Sequence, residues 1–144
     1  MDKGNKKLIT QIIIFIVFFA IAFFGTRMLF SVNSVDTELM KVAEEMNEKC
    51  PVLIDSDTRL DSVAAFEGKI IQYNYTLLPF DKSDKSLEIE AMKSKVKTQS
   101  QENYDASVEM ADFRTKEVKM KYSYYDRNGK FLFDFEVSPS KKSK

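Results

Sequence analysis

The sequence predicts an α+β fold: an N-terminal transmembrane helix, then α-β-β-α-β-β with a four-stranded antiparallel sheet packed against the helices. Three observations predict it. An unbroken apolar run occupies Leu8 to Phe24, "LITQIIIFIVFFAIAFF". An apolar stripe at helical spacing follows in Leu39, Val42, Ala43, Met46 and Cys50. Runs of period two then close the chain around a glycine turn, in "EVKMKYSYYDRNGKFLFDFEV".

The apolar run comes first. Only Thr10 and Gln11 interrupt it, and as a helix it would reach ~25 Å, near the lower limit for a bilayer core. Arg27 can snorkel while Met28, Leu29 and Phe30 lie in the interface. Lys3, Lys6 and Lys7 precede the run, so the positive-inside rule keeps residues 1–7 in the cytoplasm and exports the rest. The alternative is a cleaved signal peptide, because Ala20-Ile21-Ala22 has the form a signal peptidase reads. Phe23 and Phe24 carry the apolar run past that point, which favours an uncleaved anchor over residues 8–30. The expected order is then a linker over 31–36, an extracytoplasmic domain over 37–138, and a solvated basic tail over 139–144.

Within the domain, Asp36 or Thr37 can cap the first helix, and Pro51 stops it. Cys50 lies on the buried stripe and reads as a small hydrophobe; an intermolecular disulfide is the other reading. Arg59 to Phe66 and Lys69 to Leu78 read as a hairpin around Glu67-Gly68. Phe66 then faces Lys69, Ala64 faces Ile71, Ser62 faces Tyr73 and Leu60 faces Tyr75. A second helix begins near Leu87 with Ile89, Met92 and Val96 inward. A helical turn follows over Ala106 to Phe113, with Val108, Met110 and Phe113 inward.

The last hairpin fits a four-residue loop, Asp126 to Gly129. That register sets Tyr124 against Phe131, Tyr122 against Phe133, Met120 against Phe135 and Val118 against Val137. It also sets Lys121 against Asp134 and Lys119 against Glu136. A two-residue Asn-Gly loop also keeps the faces matched but gives one charge pair. Parity rejects a three-residue loop, because a one-residue slip turns a strand over. "QYNYT" and "KYSYY" are similar strands 49 residues apart and hint at an α-β-β duplication.

Composition removes many chemistries. There is no histidine and one cysteine, so the common zinc sites and the Ser-His and Cys-His nucleophile systems are excluded. Four glycines include no phosphate-binding loop. Of 22 basic and 22 acidic residues, four basic (Lys3, Lys6, Lys7, Arg27) and one acidic (Asp2) fall in residues 1–30. The remainder is three charges negative, which argues against nucleic-acid binding. The acidic stretch "PVLIDSDTRLDSV" places Asp55, Asp57, Arg59 and Asp61 at positions 1, 3, 5 and 7 of a would-be calcium loop. Arg59 stands where an oxygen is needed, Leu60 where glycine is needed and Phe66 where glutamate is needed. The stretch reads instead as a solvated turn and strand entry, with Leu60 inward. The Tyr-rich strands read as core under two helices. No catalytic, cofactor or metal residue is assigned.

"CPVLIDSDTRLDSV", the following Gly-x-x-x-x-Tyr-x-Tyr and "VKMKYSYYDRNGKFLFDFEV" resemble small bacterial exported or membrane-anchored proteins, similar to the quorum-sensing-regulated virulence factor family. The resemblance spans Glu38 to Val137. It implies an exported α+β domain with no established catalytic residues. Further cysteines in the second half belong to that pattern, and this chain has none there. The functional expectation is a single-pass, non-enzymatic interaction module of a bacterial cytoplasmic membrane. Its partners would be the bilayer, through residues 8–30, and a protein. A small-ligand or peptide binder is the alternative, and a carboxylate or Ser-Lys enzyme comes third.

Overall fold

Ser34 begins the structure that its first helix requires. The computed structural model describes residues 34–140, so the anchor expected over residues 8–30 lies outside the described residues. Among the described residues no helix is long and apolar enough to cross a membrane.

Helix α1 spans Val35–Asn47. Its cap is Ser34, whose hydroxyl accepts from Thr37 N at 3.3 Å, and not Asp36 or Thr37. Asp36 is engaged elsewhere: its carboxylate accepts from Lys69 N at 2.8 Å and Gly68 N at 3.3 Å. The helix start is thereby pinned to a strand turn. Leu39, Ala43 and Met46 are buried, as their spacing requires. Val42 and Cys50 pack at the margin of the core. At the helix end, Asn47 turns its amide onto the sheet. Nδ2 donates to Val63 O at 2.7 Å and Oδ1 accepts from Val63 N at 2.8 Å. One side chain thus does for that strand edge what a neighbouring strand would do.

The strands are β1 (Val52–Leu53), β2 (Thr58–Phe66), β3 (Ile70–Leu77), β4 (Lys119–Asp126) and β5 (Phe131–Val137), in the spatial order β1-β2-β3-β4-β5. The sheet is five-stranded and mixed, where four antiparallel strands were expected. Two causes account for the difference. Strand β1, which pairs antiparallel with Leu60 and Arg59, is too short to show any alternation. The two hairpins also join through β3 and β4, which run parallel. A parallel pair needs a long crossover, and the connection from Leu78 to Val118 supplies it. That connection holds α2 (Ile89–Ala106), a 3-10 turn (Val108–Met110) and α3 (Ala111–Thr115). Met92, Val96, Ser100 and Tyr104 form the buried stripe of α2. Met110 and Phe113 are buried as expected, but Val108 faces solvent.

Both hairpin registers differ from expectation in the same way. The β2–β3 turn takes three residues, Glu67, Gly68 and Lys69, so Phe66 meets Ile70 and Val63 meets Tyr73. Gly68 and Lys69 both have positive φ, 90° and 63°. A bulge between Leu60 and Ser62 then restores the pairing of Leu60 with Tyr75. Val63 thereby enters the core and Ser62 leaves it. The β4–β5 turn also takes three residues, Arg127, Asn128 and Gly129, with Gly129 at φ 77°. Tyr125 meets Phe131, and a bulge then sets Tyr124 against Phe133, Tyr122 against Phe135 and Met120 against Val137. The body of this hairpin keeps the Asn-Gly register, not the four-residue one. The parity argument against three residues fails because each bulge turns the strand back.

One face of the sheet carries the helices. Helix α1 lies on β2 and reaches β3, and α2 lies against β5. Their buried residues share one core with Ile71, Tyr73, Tyr75, Tyr122, Tyr124, Phe133 and Phe135. Two aromatic rows cross the strands. Tyr73, Tyr122 and Phe135 stack at 5.6 and 5.2 Å, and Tyr75, Tyr124 and Phe133 at 5.4 and 4.8 Å. Such pairs contribute about 0.5–1.5 kcal/mol each beyond the area they bury.

Asn47→Ala removes both bonds to Val63 and leaves that part-buried peptide unpaired. It is expected to cost about 1–3 kcal/mol in urea unfolding. A change within about 0.5 kcal/mol, as for an ordinary surface site, would refute the role given to Asn47.

Candidate functional site

The structure disperses the acidic stretch that the sequence brings together. Asp55 Oδ1 accepts from Asp57 N at 2.7 Å, which closes a local turn. Asp55 is half-buried, and its Oδ2 is enclosed with no hydrogen-bond partner among the described residues, so that loop is less solvated than expected. Asp57 offers its backbone carbonyl to Leu78 N at 2.8 Å. Leu60 is buried, as the strand-entry reading requires. Asp61 belongs to the bulge on the uncovered face, where Arg59 Nε and Thr76 Oγ1 both donate to it. Among the described residues no three cysteine or carboxylate side chains stand where they could hold a metal ion.

That uncovered face is a connected polar surface. Gln72 Nε2 donates to Asn74 Oδ1 at 2.8 Å, and Asn74 Nδ2 donates to Ser62 Oγ at 3.0 Å. Lys121 Nζ stands 3.6 Å from Asp134 Oδ2, although its Cα partner is Glu136. The pair is diagonal because the hairpin register is two residues from the one expected. Tyr125 and the exposed Phe131 meet edge to face at 5.8 Å and form an aromatic corner. No described helix covers this side. Its polar groups satisfy one another sideways, so a partner could approach without stripping unpaired charges.

The covered face has a polar feature of its own. Tyr75 and Tyr124 are fully buried, and neither hydroxyl has a hydrogen-bond partner among the described residues. Tyr104 differs: its hydroxyl donates to Val118 O at 2.7 Å. Burial pushes the Tyr75 hydroxyl far above its ordinary range, with smaller contributions from the neighbouring Tyr124, Tyr122 and Tyr73. Burial also raises the Cys50 thiol, as does Asp61, so Cys50 is no activated nucleophile.

At the far end of β3 and β4, two aspartates clasp the loop over residues 79–86. The stretch Asp81 to Ser86 repeats Asp-Lys-Ser, and each aspartate accepts from the backbone and hydroxyl of the serine two places on. Asp126 is fully buried and accepts from Lys82 N, Lys130 N and Asn128 N, each at 2.8 Å. Those amides hold its carboxyl below the ordinary value of 3.8. Ser83 chiefly, with help from Arg127, holds Asp81 at about 2. Sequence reasoning missed Asp126 because it read the residue as a turn position. An aspartate between a Tyr-rich strand and a glycine turn was the available signal.

The fold and its faces define a two-layer α+β domain with an exposed polar sheet. The chain belongs to the family described as "Domain of unknown function (DUF8479)", whose model matches residues 34–133. No curated protein matches the chain. Three solved structures share the fold. The EpsS pilotin of the Vibrio vulnificus type 2 secretion system is similar with TM-score 0.55 and 8% identity, over 72% of this chain and 86% of that one. A "putative secreted protein" from Pseudomonas aeruginosa gives 0.52 and 12%, over 74% and 95%. The AspS pilotin of the Vibrio cholerae type II secretion system gives 0.51 and 10%, over 72% and 87%.

Two predictions concern these sites. Tyr75→Phe and Tyr124→Phe each remove a buried, unpaired hydroxyl, so each should leave the urea midpoint unchanged or raise stability, by at most about 3 kcal/mol. A loss would show that the hydroxyls are satisfied. The second concerns acid. The carboxyl groups of Asp81 and Asp126 bind a proton less readily when folded than when unfolded. Their stabilisation is present above about pH 4 and is lost as pH falls through their lowered values, about 2 for Asp81. Asp126→Asn should lower the urea midpoint at pH 7 and flatten its decline over that interval. An unchanged acid profile would count against the clasp.

Proposed function

We propose that residues 34–140 form an extracytoplasmic, non-enzymatic interaction module that docks a protein partner, and that residues 8–30 hold it at a membrane with residues 1–7 inside. The observation that carries this reading is the fold shared with two secretion-system pilotins. The apolar run with its preceding lysines supports the tether. The uncovered sheet face supports the docking role: its polar groups pair with one another, and the Tyr125–Phe131 corner supplies an apolar anchor. A secretion-system component, such as a secretin, is the partner class this likeness favours. Kinship with the quorum-sensing-regulated virulence factor family belongs to the same proposal. Strand β5, which pairs with β4 alone among the described strands, favours a second reading in which an extended peptide adds to its free edge.

A photo-crosslinking residue at Gln72, on the uncovered face, should trap one discrete protein adduct in intact cells. The same residue at Glu136, on β5, should trap it instead if the partner takes the edge. Failure at both positions would remove the docking role. In a Cys50→Ser background, Ser83→Cys should react with a membrane-impermeant thiol reagent in intact spheroplasts. Protection until lysis would place the domain inside and refute the exported arrangement.

A further inference from the structure

One end of the domain gathers segments far apart in sequence. The carboxylate of Asp36, at the start of α1, bonds the β2–β3 turn at Gly68 and Lys69. Lys119 N donates to Lys69 O at 2.8 Å, which brings in the start of β4. Val137, the last residue of β5, pairs with Met120. The chain beyond β5 then runs to the end of α2: Gln101 Nε2 donates to Ser138 O at 2.7 Å, and Ser140 N and Oγ donate to the Asp105 carboxylate at 3.1 and 2.6 Å. Arg114 Nη1 donates to both Tyr104 O and Ser107 O, which folds the 3-10 turn onto the same end. The described chain therefore enters at Ser34 and leaves at Ser140 at one pole. The loop over residues 79–86 and the β4–β5 turn lie at the other.

Two large apolar side chains stand out at the entry pole. Val108 is 83% exposed and Phe66 is 47% exposed. Neither serves the core, and Val108 is the most exposed large apolar residue of the described chain. Glu67 follows Phe66 and Glu109 follows Val108, while Lys69 closes the strand turn with Lys119 bonded beside it, and residues 141–144 bring Lys141, Lys142 and Lys144 after Ser140. Residue 30, the last of the proposed anchor, precedes Ser34 by four positions. So few residues span at most ~14 Å even when fully extended. Such a tether holds this pole within reach of the headgroups and keeps the opposite pole away from them.

We propose that the pole formed by Ser34, the β2–β3 turn, the 3-10 turn at Val108 and Ser140 is a lipid-facing surface, with Val108 and Phe66 inserting into the headgroup region of the bilayer. The inference rests on the reading of residues 8–30 as an anchor, and it adds a fixed orientation. The domain stands on its own membrane, with lysines at headgroup level and the uncovered sheet face upright and open to a partner. Small apolar insertions of this kind bury to about 5–10 Å and add to a tether that would otherwise let the domain tumble.

The chain contains no tryptophan, so a single introduced indole reports its own depth. Full-length protein carrying Val108→Trp, Lys85→Trp at the far pole, or Phe18→Trp within the proposed anchor would be reconstituted in nanodiscs. Each nanodisc would contain lipids with or without bromine on the upper acyl chain. Quenching on the order of twofold is expected for V108W and F18W, with none for K85W. A Phe66→Trp variant provides a second reporter at the same pole. Quenching of F18W without quenching of V108W or F66W would overturn the lipid-facing pole and leave the anchor standing. An unquenched F18W would remove the anchor and the inference with it. Equal quenching of V108W and K85W would show a domain without fixed orientation and would also overturn the inference.

Discussion

The parallel contact between β3 and β4 holds this domain together. Every pair along it, from Ile70 with Lys119 to Leu77 with Asp126, is offset by 49 residues. Without it there would be two separate hairpins, each with one helix over it and only half of the shared core. With it, Tyr73 lies beside Tyr122 and Tyr75 beside Tyr124, and the two aromatic rows run unbroken from β3 into β5. Parallel pairing also dictates the connection. The chain must return to the starting end of the sheet, and α2 makes that return while covering β5. The position of the second helix is thus a consequence of strand direction.

The same arrangement explains why each hairpin carries a bulge. A three-residue turn reverses which residues of a strand face the core, and each bulge reverses them again. In β2 the correction falls at Asp61, and in β5 it falls next to Leu132. The bulge in β2 lets Leu60 and Val63, three positions apart, both face the core beneath the helices. It also frees Asp61 from the ladder and lets it collect Arg59 and Thr76 on the opposite side of the sheet. A constraint inside the core therefore builds part of the surface outside it.

Much of this was legible in the residues. The stripe of Leu39, Ala43 and Met46, the cluster of Met92 and Val96, and the alternating tyrosines and phenylalanines marked helices, strands and core faces. The recurrence of "QYNYT" and "KYSYY" was visible too, but its meaning was not. Similar strands 49 residues apart hint at a repeat, and the structure adds that they are neighbours in one sheet. Local pattern records which face a residue prefers and says little about which strand lies beside it. Strand β1 was invisible because two residues carry no period. The roles of Asn47, Asp36 and Asp126 were hidden for a related reason: each bonds backbone 16 to 44 positions away, and no spacing rule reaches that far. The uncovered face was half legible, since Gln72, Asn74 and Thr76 alternate with the core residues, while their lateral bonds depend on the register.

The stacked rows have an optical corollary. A chain without tryptophan emits through its tyrosines. Here two pairs of those rings lie 5.4 and 5.6 Å apart across a single strand junction. Excitation absorbed by one phenol would hop to its neighbour before emission, and the emitted light would lose polarisation. Fluorescence anisotropy of the native protein would then report how closely the tyrosines cluster, within β3 as well as between β3 and β4.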